Sequence, residues 1–274
     1  MISLSEIVKA KRQLGNVVTK TPCALAPHLS DEVGAQVYLK KENLQITGAY
    51  KLRGAYNKIA SLTKEERKKG VIAASAGNHA QGVAYSARSF GISATIVMPE
   101  ATPLLKVTGT KALGAEVILH GDNYDEAYAY AKTYAKEHEL TFIHPFEDEV
   151  VIAGQGTVAL EMIDEINDLD IVVIPIGGGG LISGMSSAIK QIDPKIRVIG
   201  VNAAGAPAMC ESFHAKKAIN SKSVRTIADG IAVRDVSESN LAHILECVDE
   251  VVTVDDEEID LTGKEFDILY ILVS

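Results

Sequence analysis

Ile171-Val172-Val173-Ile174-Pro175-Ile176-Gly177-Gly178-Gly179-Gly180-Leu181-Ile182-Ser183-Gly184 decides the fold. The run up to Ile176 is apolar without alternation, as in a strand buried on both faces of a parallel sheet. Leu181 to Lys190 reads as the helix that follows. Between them, four consecutive glycines carry no side chains, so backbone N–H groups can converge on an anion, and the helix N-terminus adds the positive end of its dipole. One or two glycines suffice for a tight turn, so the stretch reads as a phosphate cradle. No Lys-Ser/Thr pair follows as in a nucleotide P-loop, and the sixth positions counted from Gly177 and Gly178 are Ile182 and Ser183, which excludes G-x-G-x-x-G.

Outward from this point the chain alternates strands and helices. Strands are expected at Gln36 to Leu39, Val71 to Ala74, Ser93 to Met98, Glu116 to Leu119, Arg197 to Val201 and Val251 to Val254. Helices are expected from Ser3, from Leu52, from Thr63, from His79 to about Phe90, from Pro103 to Leu113, from Asn123 to His138, from Gln155 to Ile166 and from Pro207 to Ala215. Ser3 with Glu6, and Thr63 with Glu66, have capping-box spacing. Thr21-Pro22 through Pro27 reads as loop. The alternation implies βαβ units, hence an α/β fold with parallel sheets covered on both faces. Near the end, Asp255 to Glu258 looks like a helix start. Phe266 to Val273 is almost wholly apolar and requires burial, either as a terminal core element or as the sticky end of an incomplete lobe.

At 274 residues the chain exceeds the usual single core, so two lobes are expected. Hydrophobic residues make up 47% and charged residues 23%, a soluble globular balance. The net charge of -9 argues against nucleic acid or an anionic membrane as partner, though a basic pocket for one small phosphate remains compatible with it. Cys23, Cys210 and Cys247 are widely spaced, fitting a reducing cytoplasm rather than a disulfide framework. No charged-then-apolar leader and no run of about 18 apolar residues is present. His120, His138 and His144 lack ligand spacing, so no catalytic metal is expected.

Two further stretches join the glycines. In Thr47-Gly48-Ala49-Tyr50-Lys51-Leu52-Arg53-Gly54-Ala55 a lysine stands between a glycine turn and an amphipathic helix. Alone, such a lysine is ordinarily a solvated charge. Ser75-Ala76-Gly77-Asn78-His79 lies at a strand end entering a helix, where α/β enzymes place their sites. Asn78 can donate through its amide, and the helix N-terminus can hold a carboxylate; taken alone, Asn78 also fits a helix N-cap. His79 reads as a structural partner rather than a base.

Together these stretches, with HGDNYDEA and VIAGQGTVALE, resemble the fold-type II pyridoxal-phosphate enzymes and, within them, the threonine dehydratases (threonine ammonia-lyases). The resemblance runs from about residue 1 to residue 258. It implies two three-layer αβα lobes with mostly parallel sheets: residues 1–68 and 148–274 as a large cofactor-binding domain and 69–147 as a small one. It implies pyridoxal 5'-phosphate held as a Schiff base on Lys51. Asn78 would bond the pyridine hydroxyl, Gly177, Gly178, Gly179, Gly180 and Leu181 would cradle the phosphate, and Ser75, Ala76, Gly77, Asn78 and His79 would grip the substrate carboxylate. The implied reaction is α,β-elimination of a small amino acid, threonine and also serine, to 2-oxobutyrate or pyruvate and ammonia, in a homo-oligomer, dimer or tetramer.

Some departures matter. Serine racemases, which also resemble the chain, carry a second serine where Ala76 stands, acting as acid/base on the opposite substrate face; alanine cannot transfer a proton, so little racemization is expected. Asn202 and Ala208 occupy the positions of their acidic cation ligands. Residues 259–274 do not match the family's continuation, which includes a serine facing the pyridine nitrogen, and no C-terminal regulatory domain follows. The expectation is therefore a large lobe incomplete at its C-terminus. Either it remains an active lyase, or it is an inert chain that binds cofactor poorly; a racemase or a β-replacement enzyme such as cysteine synthase is the enzymatic alternative.

Overall fold

The computed structural model describes residues 1–256 and the strand at 269–273. It opens with α1 (Leu4–Leu14), β1 (Cys23–Leu25), α2 (Pro27–Val33), β2 (Gln36–Lys40), α3 (Lys51–Ser61) and α4 (Lys64–Lys69). A strict alternation follows: β3 (Val71–Ala74), α5 (Asn78–Ser89), β4 (Ala94–Met98), α6 (Leu104–Ala112), β5 (Glu116–Leu119), α7 (Tyr124–Glu137) and β6 (Thr141–Phe142). The chain then runs through α8 (Glu149–Glu165), β7 (Ile171–Pro175), α9 (Gly180–Ile192), β8 (Arg197–Ala203), α10 (Ala208–Ala215), α11 (Glu238–Cys247), β9 (Glu250–Val254) and β10 (Leu269–Val273). Both capping boxes form, Ser3 with Glu6 and Thr63 with Glu66.

Two sheets result. The smaller has the order β5-β4-β3-β6 and is parallel throughout. Its central strands are buried along their whole length, which is why they read as unbroken apolar runs. The period of two still sorts their side chains. Val71, Ala73, Ile96 and Met98 pack with α5 and α3 on one face, while Ile72, Ala74 and Val97 meet the alanine stripe Ala127, Ala131 and Ala135 of α7 on the other. The larger sheet has the order β1-β2-β10-β7-β8-β9. Its β7-β8-β9 half is parallel, whereas β1, β2, β10 and β7 pair antiparallel.

Helix α8 is the hub. Every residue from Val151 to Met162 is buried, so the helix is enclosed on all sides rather than amphipathic. Glycines permit this. A Cβ on Gly154 would stand 2.7 Å from both the Arg53 carbonyl oxygen and Gly54 Cα of α3, and one on Gly156 would stand 2.7 Å from the Gly184 carbonyl oxygen of α9. The expected helix start at Gln155 is thus too late. Asp148 caps α8, its Oδ1 accepting from Val150 and Val151 N–H at 2.8 and 3.2 Å, and the glycines that look like breakers are contact points.

The Thr21–Pro27 segment is also more ordered than a loop, carrying β1 against β2 and the start of α2 at Pro27. Of the apolar terminal stretch, Leu269 to Val273 form a strand between β2 and β7, pairing Ile271 with both Tyr38 and Val172; residues 266–268 lie outside the described residues. The Asp256 carboxylate accepts from Thr226 Oγ1 at 2.6 Å and from Ile227 N–H at 3.1 Å. Glu257 and Glu258 lie outside the described residues. Among the described residues no helix is long and apolar enough to cross a membrane.

Charge is buried where β2, α3 and α8 meet. Arg53 forks onto Glu42 through Nε and Nη2 at 2.9 and 2.8 Å, and onto Glu161 through Nη1 and Nη2 at 2.6 and 2.9 Å. Lys40 Nζ donates to Glu161 at 2.7 Å and to the Thr21 carbonyl at 2.6 Å. Burial pushes the Glu161 carboxyl up, but the Arg53 and Lys40 bonds outweigh it and hold the group below its ordinary range. Removing one partner leaves the others charged and dry, which costs about 3–5 kcal/mol. Glu161→Ala should therefore lower the unfolding free energy by about 3–5 kcal/mol in urea titrations, and a loss below about 1 kcal/mol would contradict this account.

Candidate active site

Lys51 is the first residue of α3, behind Tyr50, whose backbone is already helical and offers no side-chain cap. The side chain turns inward. Nζ donates to the Pro145 carbonyl at 2.9 Å and lies 5.5 Å from the Tyr50 ring centre. Burial alone pulls the ammonium down to about 8. The side chain is half-buried, and the lowered value favours the unprotonated amine that a nucleophile or base requires.

The glycine loop lies across the same cavity. Strand β7 delivers the chain to Gly177, and Gly179, at φ +87° in the left-handed region, turns it into α9. Space as well as conformation demands glycine here. A Cβ on Gly178 would land on the Phe146 ring, one on Gly180 would stand 2.9 Å from Phe146 Cα, and one on Gly177 would stand 3.0 Å from Ile231 Cα. Lys51, Gly177, Gly178, Gly179, Gly180 and Leu181 all line one cavity. The loop N–H groups of Gly177, Gly178 and Gly179 have no hydrogen-bond acceptor among the described residues.

The asparagine loop approaches from the other side. Gly77 takes the N-cap position and Asn78 is the first residue of α5, so the capping alternative for Asn78 does not hold. Helix α5 crosses the start of α3 closely enough that a Cβ on Gly82 would stand 3.1 Å from Leu52 N and 3.2 Å from the Lys51 carbonyl. His79 is buried with Nε2 2.9 Å from the Ile143 carbonyl. A carbonyl only accepts, so Nε2 carries the proton and Nδ1 is bare. Burial, with the Lys51 charge second, pulls the ring down to about 3, so it stays neutral. Ser75, Ala76, Gly77, Asn78 and His79 do not line the glycine cavity itself; among them His79 feels the Lys51 charge, and the helix they open meets Lys51 at Gly82. Asn202 spends its side chain on the backbone, donating to the Ile176 carbonyl at 2.6 Å and accepting from Cys210 N–H at 2.8 Å.

Tyr50 and Pro175, inside the quoted stretches, also line the cavity, together with Phe146, Gly230 and Val233, which carry no readable motif of their own. Gly230, inside the turn Asp229–Ile231, offers only a generic turn signal, and Phe146 offers none. Both arrive through tertiary packing.

A half-buried lysine at a helix start thus faces a loop without side chains, across a cavity that both line. The chain belongs to the family of pyridoxal-phosphate dependent enzymes, whose sequence pattern matches residues 15–266. It is 51% identical over 259 residues to L-threonine ammonia-lyase of Thermotoga maritima, covering 94% of this chain and 65% of that relative's length. Processed threonine deaminase isoform 2 of Solanum lycopersicum superposes with a TM-score of 0.89 at 42% identity, over 92% of this chain and 74% of that one. Maize serine racemase superposes with a TM-score of 0.92 at 34% identity, over 97% and 81%.

The fold is that of fold type II, and the cofactor is pyridoxal 5'-phosphate. The residues present fit it: the cradle has no room for a Cβ and has unclaimed N–H groups, and the amine beside it is dry. In cofactor-free protein, labelling of Lys51 by pyridoxal 5'-phosphate, trapped with borohydride and read by mass spectrometry, should rise with pH to about 8 and level off. Exposed lysines should keep rising towards about 10.4. A Lys51 profile matching theirs would contradict the burial argument.

Proposed function

We propose that the chain catalyses the dehydration and deamination of L-threonine, and of L-serine, to 2-oxobutyrate or pyruvate and ammonia. The observation that carries this reading is the dry Lys51 amine facing the glycine cradle, with the α5 N-terminus on its flank. When bound, pyridoxal 5'-phosphate supplies a carbonyl carbon that captures amines and a ring that accepts an electron pair from Cα. Gly177 to Gly180 and Leu181 hold its phosphate through backbone N–H groups, and Asn78 meets the ring hydroxyl. Ser75, Ala76, Gly77, Asn78 and His79 take the substrate carboxylate, where the positive end of α5 favours an anion. His79, neutral at physiological pH, orients the loop through the Ile143 carbonyl rather than adding charge. Lys51 Nζ, freed when substrate binds, takes the Cα proton; its depressed pKa keeps it able to do so near neutrality. Loss of the β-hydroxyl with that proton, followed by hydrolysis of the resulting enamine, accounts for the 2-oxo acid and ammonia.

Ala76 supports elimination over racemization, because a methyl group offers no proton to the opposite face of Cα. Residues 1–68 with 148–274 form the large domain in this reading and 69–147 the small one. The ion pairs Lys106–Asp229 at 2.9 Å and Arg234–Asp125 at 2.5 Å link the small domain to the Gly230 turn. The reading includes a homo-oligomer, dimer or tetramer, resident in the cytoplasm. Threonine and serine differ by one methyl, worth only about 1–3 kcal/mol in a pocket, so both should turn over.

The test is 2-oxo acid release from L-threonine and L-serine with bound cofactor verified by absorbance. We expect 2-oxobutyrate and pyruvate, complete loss in Lys51→Ala, and no D-serine above background by chiral chromatography. Cofactor binding without 2-oxo acid would sink the lyase reading, and D-serine forming as fast as pyruvate would replace it with racemization.

A further inference from the structure

Asn240 lies in the first turn of α11, fully buried, with its own N–H accepted by the Ser237 hydroxyl at 3.2 Å. Its side-chain amide does two jobs at once. Nδ2 donates to the Phe146 carbonyl at 2.8 Å and to the Gly178 carbonyl at 2.6 Å. Only an NH₂ group can serve two carbonyls, so the assignment of nitrogen and oxygen in this amide is forced. The price is Oδ1, buried without a partner among the described residues. A buried orphan acceptor costs about 1–3 kcal/mol; its retention means that both amide protons are committed to the two loops.

Those two peptide units are not in the same condition. The 146–147 unit is clamped on both sides, its carbonyl by Asn240 and its N–H by His144 Nδ1 at 2.9 Å. Ser237 adds a third tie, donating to Glu147 Oε1 at 3.0 Å. The 178–179 unit is held on the carbonyl side only, and the Gly179 N–H has no acceptor among the described residues. A trans peptide is planar with its C=O and N–H antiparallel. Drawing the Gly178 carbonyl towards α11 therefore turns the Gly179 N–H the opposite way, to the open side of the glycine loop. Gly179 also packs on Asn240, whose Cβ would stand 3.2 Å from a Cβ placed there.

We propose that Asn240 is a positioning residue for phosphate recognition. By anchoring the Gly178 carbonyl, it aims the Gly179 N–H at the cofactor phosphate, and through Phe146 it locks the wall that closes the cradle. The proposal rests on the reading of Gly177 to Gly180 as the phosphate site.

Its signature is selective. Losing the anchor should weaken pyridoxal 5'-phosphate and leave pyridoxal, which has no phosphate, untouched. In equilibrium titrations followed by absorbance, Asn240→Leu should raise the Kd for pyridoxal 5'-phosphate about tenfold or more, with the Kd for pyridoxal within about twofold of wild type. Asn240→Asp keeps the shape but sets a carboxylate against two carbonyl oxygens, and should behave the same way. Asn240→Ser, smaller and still a donor, serves if either variant fails to fold, and its preference for the phosphorylated form should fall as well. A folded variant that keeps the wild-type ratio of the two affinities overturns the role of Asn240. A wild-type chain that does not prefer pyridoxal 5'-phosphate over pyridoxal instead removes the phosphate-site reading beneath it, so the two failures are told apart.

Discussion

The double fork of Arg53 onto Glu42 and Glu161 is the interaction on which the site depends. Two carboxylates and two cations meet away from water, an arrangement whose desolvation cost is offset only when the geometry satisfies most donors and acceptors. Here Arg53 uses both edges of its guanidinium, Thr21 Oγ1 donates to Glu42 at 2.5 Å, and Lys40 closes the free side of Glu161. The consequence is positional. Arg53 is two residues from Lys51 on the same short helix, so tying its head group to β2 and α8 fixes where the reactive amine starts. The close approaches of Gly54 to Gln155 and Val151, and of Gly154 to the Arg53 carbonyl, then leave α3 no room to shift.

A second constraint acts on the opposite wall. A loop without side chains cannot hold itself in one conformation, because glycine gains most from being free. The fold supplies the rigidity from outside: Phe146 over Gly178 and Gly180, Ile231 against Gly177, and Met209, Ile244 and Asn240 around Gly179. Each of these contacts comes from a segment distant in sequence. Flexibility of composition and rigidity of setting are both needed, since the first admits the phosphate and the second keeps the donors aimed.

Lys51 links the two walls. Its Nζ reaches the Pro145 carbonyl, next to the Phe146 that covers the cradle, and its charge is the second cause of the depressed His79 pKa. The lysine and the asparagine loop are thus electrostatically coupled although they begin at residues 51 and 75. Low dielectric does this: burial that costs the ammonium its solvation also lets its charge be felt by the neighbouring imidazole.

Much of this was legible locally. Val71–Ala74 announces itself as a doubly buried strand and Ile171–Pro175 as a strand, the pairs Ser3/Glu6 and Thr63/Glu66 mark their own helix starts, and Gly177–Gly180 mark a strand–helix junction without side chains. These are short-range features, set by hydrogen-bond geometry and apolar period within a few residues. The start of α8 was misjudged because Gly154 and Gly156 look like breakers in one dimension and are contact points in three. The helix α11 carries no strong signal in the sequence, although its Asn240 bonds the Phe146 and Gly178 carbonyls. The apolar stretch ending at Val273 demanded burial, but only pairing could say that Leu269 to Val273 run antiparallel between β2 and β7. By itself the sequence determined most of the alternating strands and helices and the strand–glycine–helix junction at Gly177 to Gly180, because these follow from local chemistry. Tertiary structure alone decided how dry Lys51 is, which residues wall the cradle and which way each peptide faces, because burial and orientation are properties of neighbours that the chain brings together only when folded.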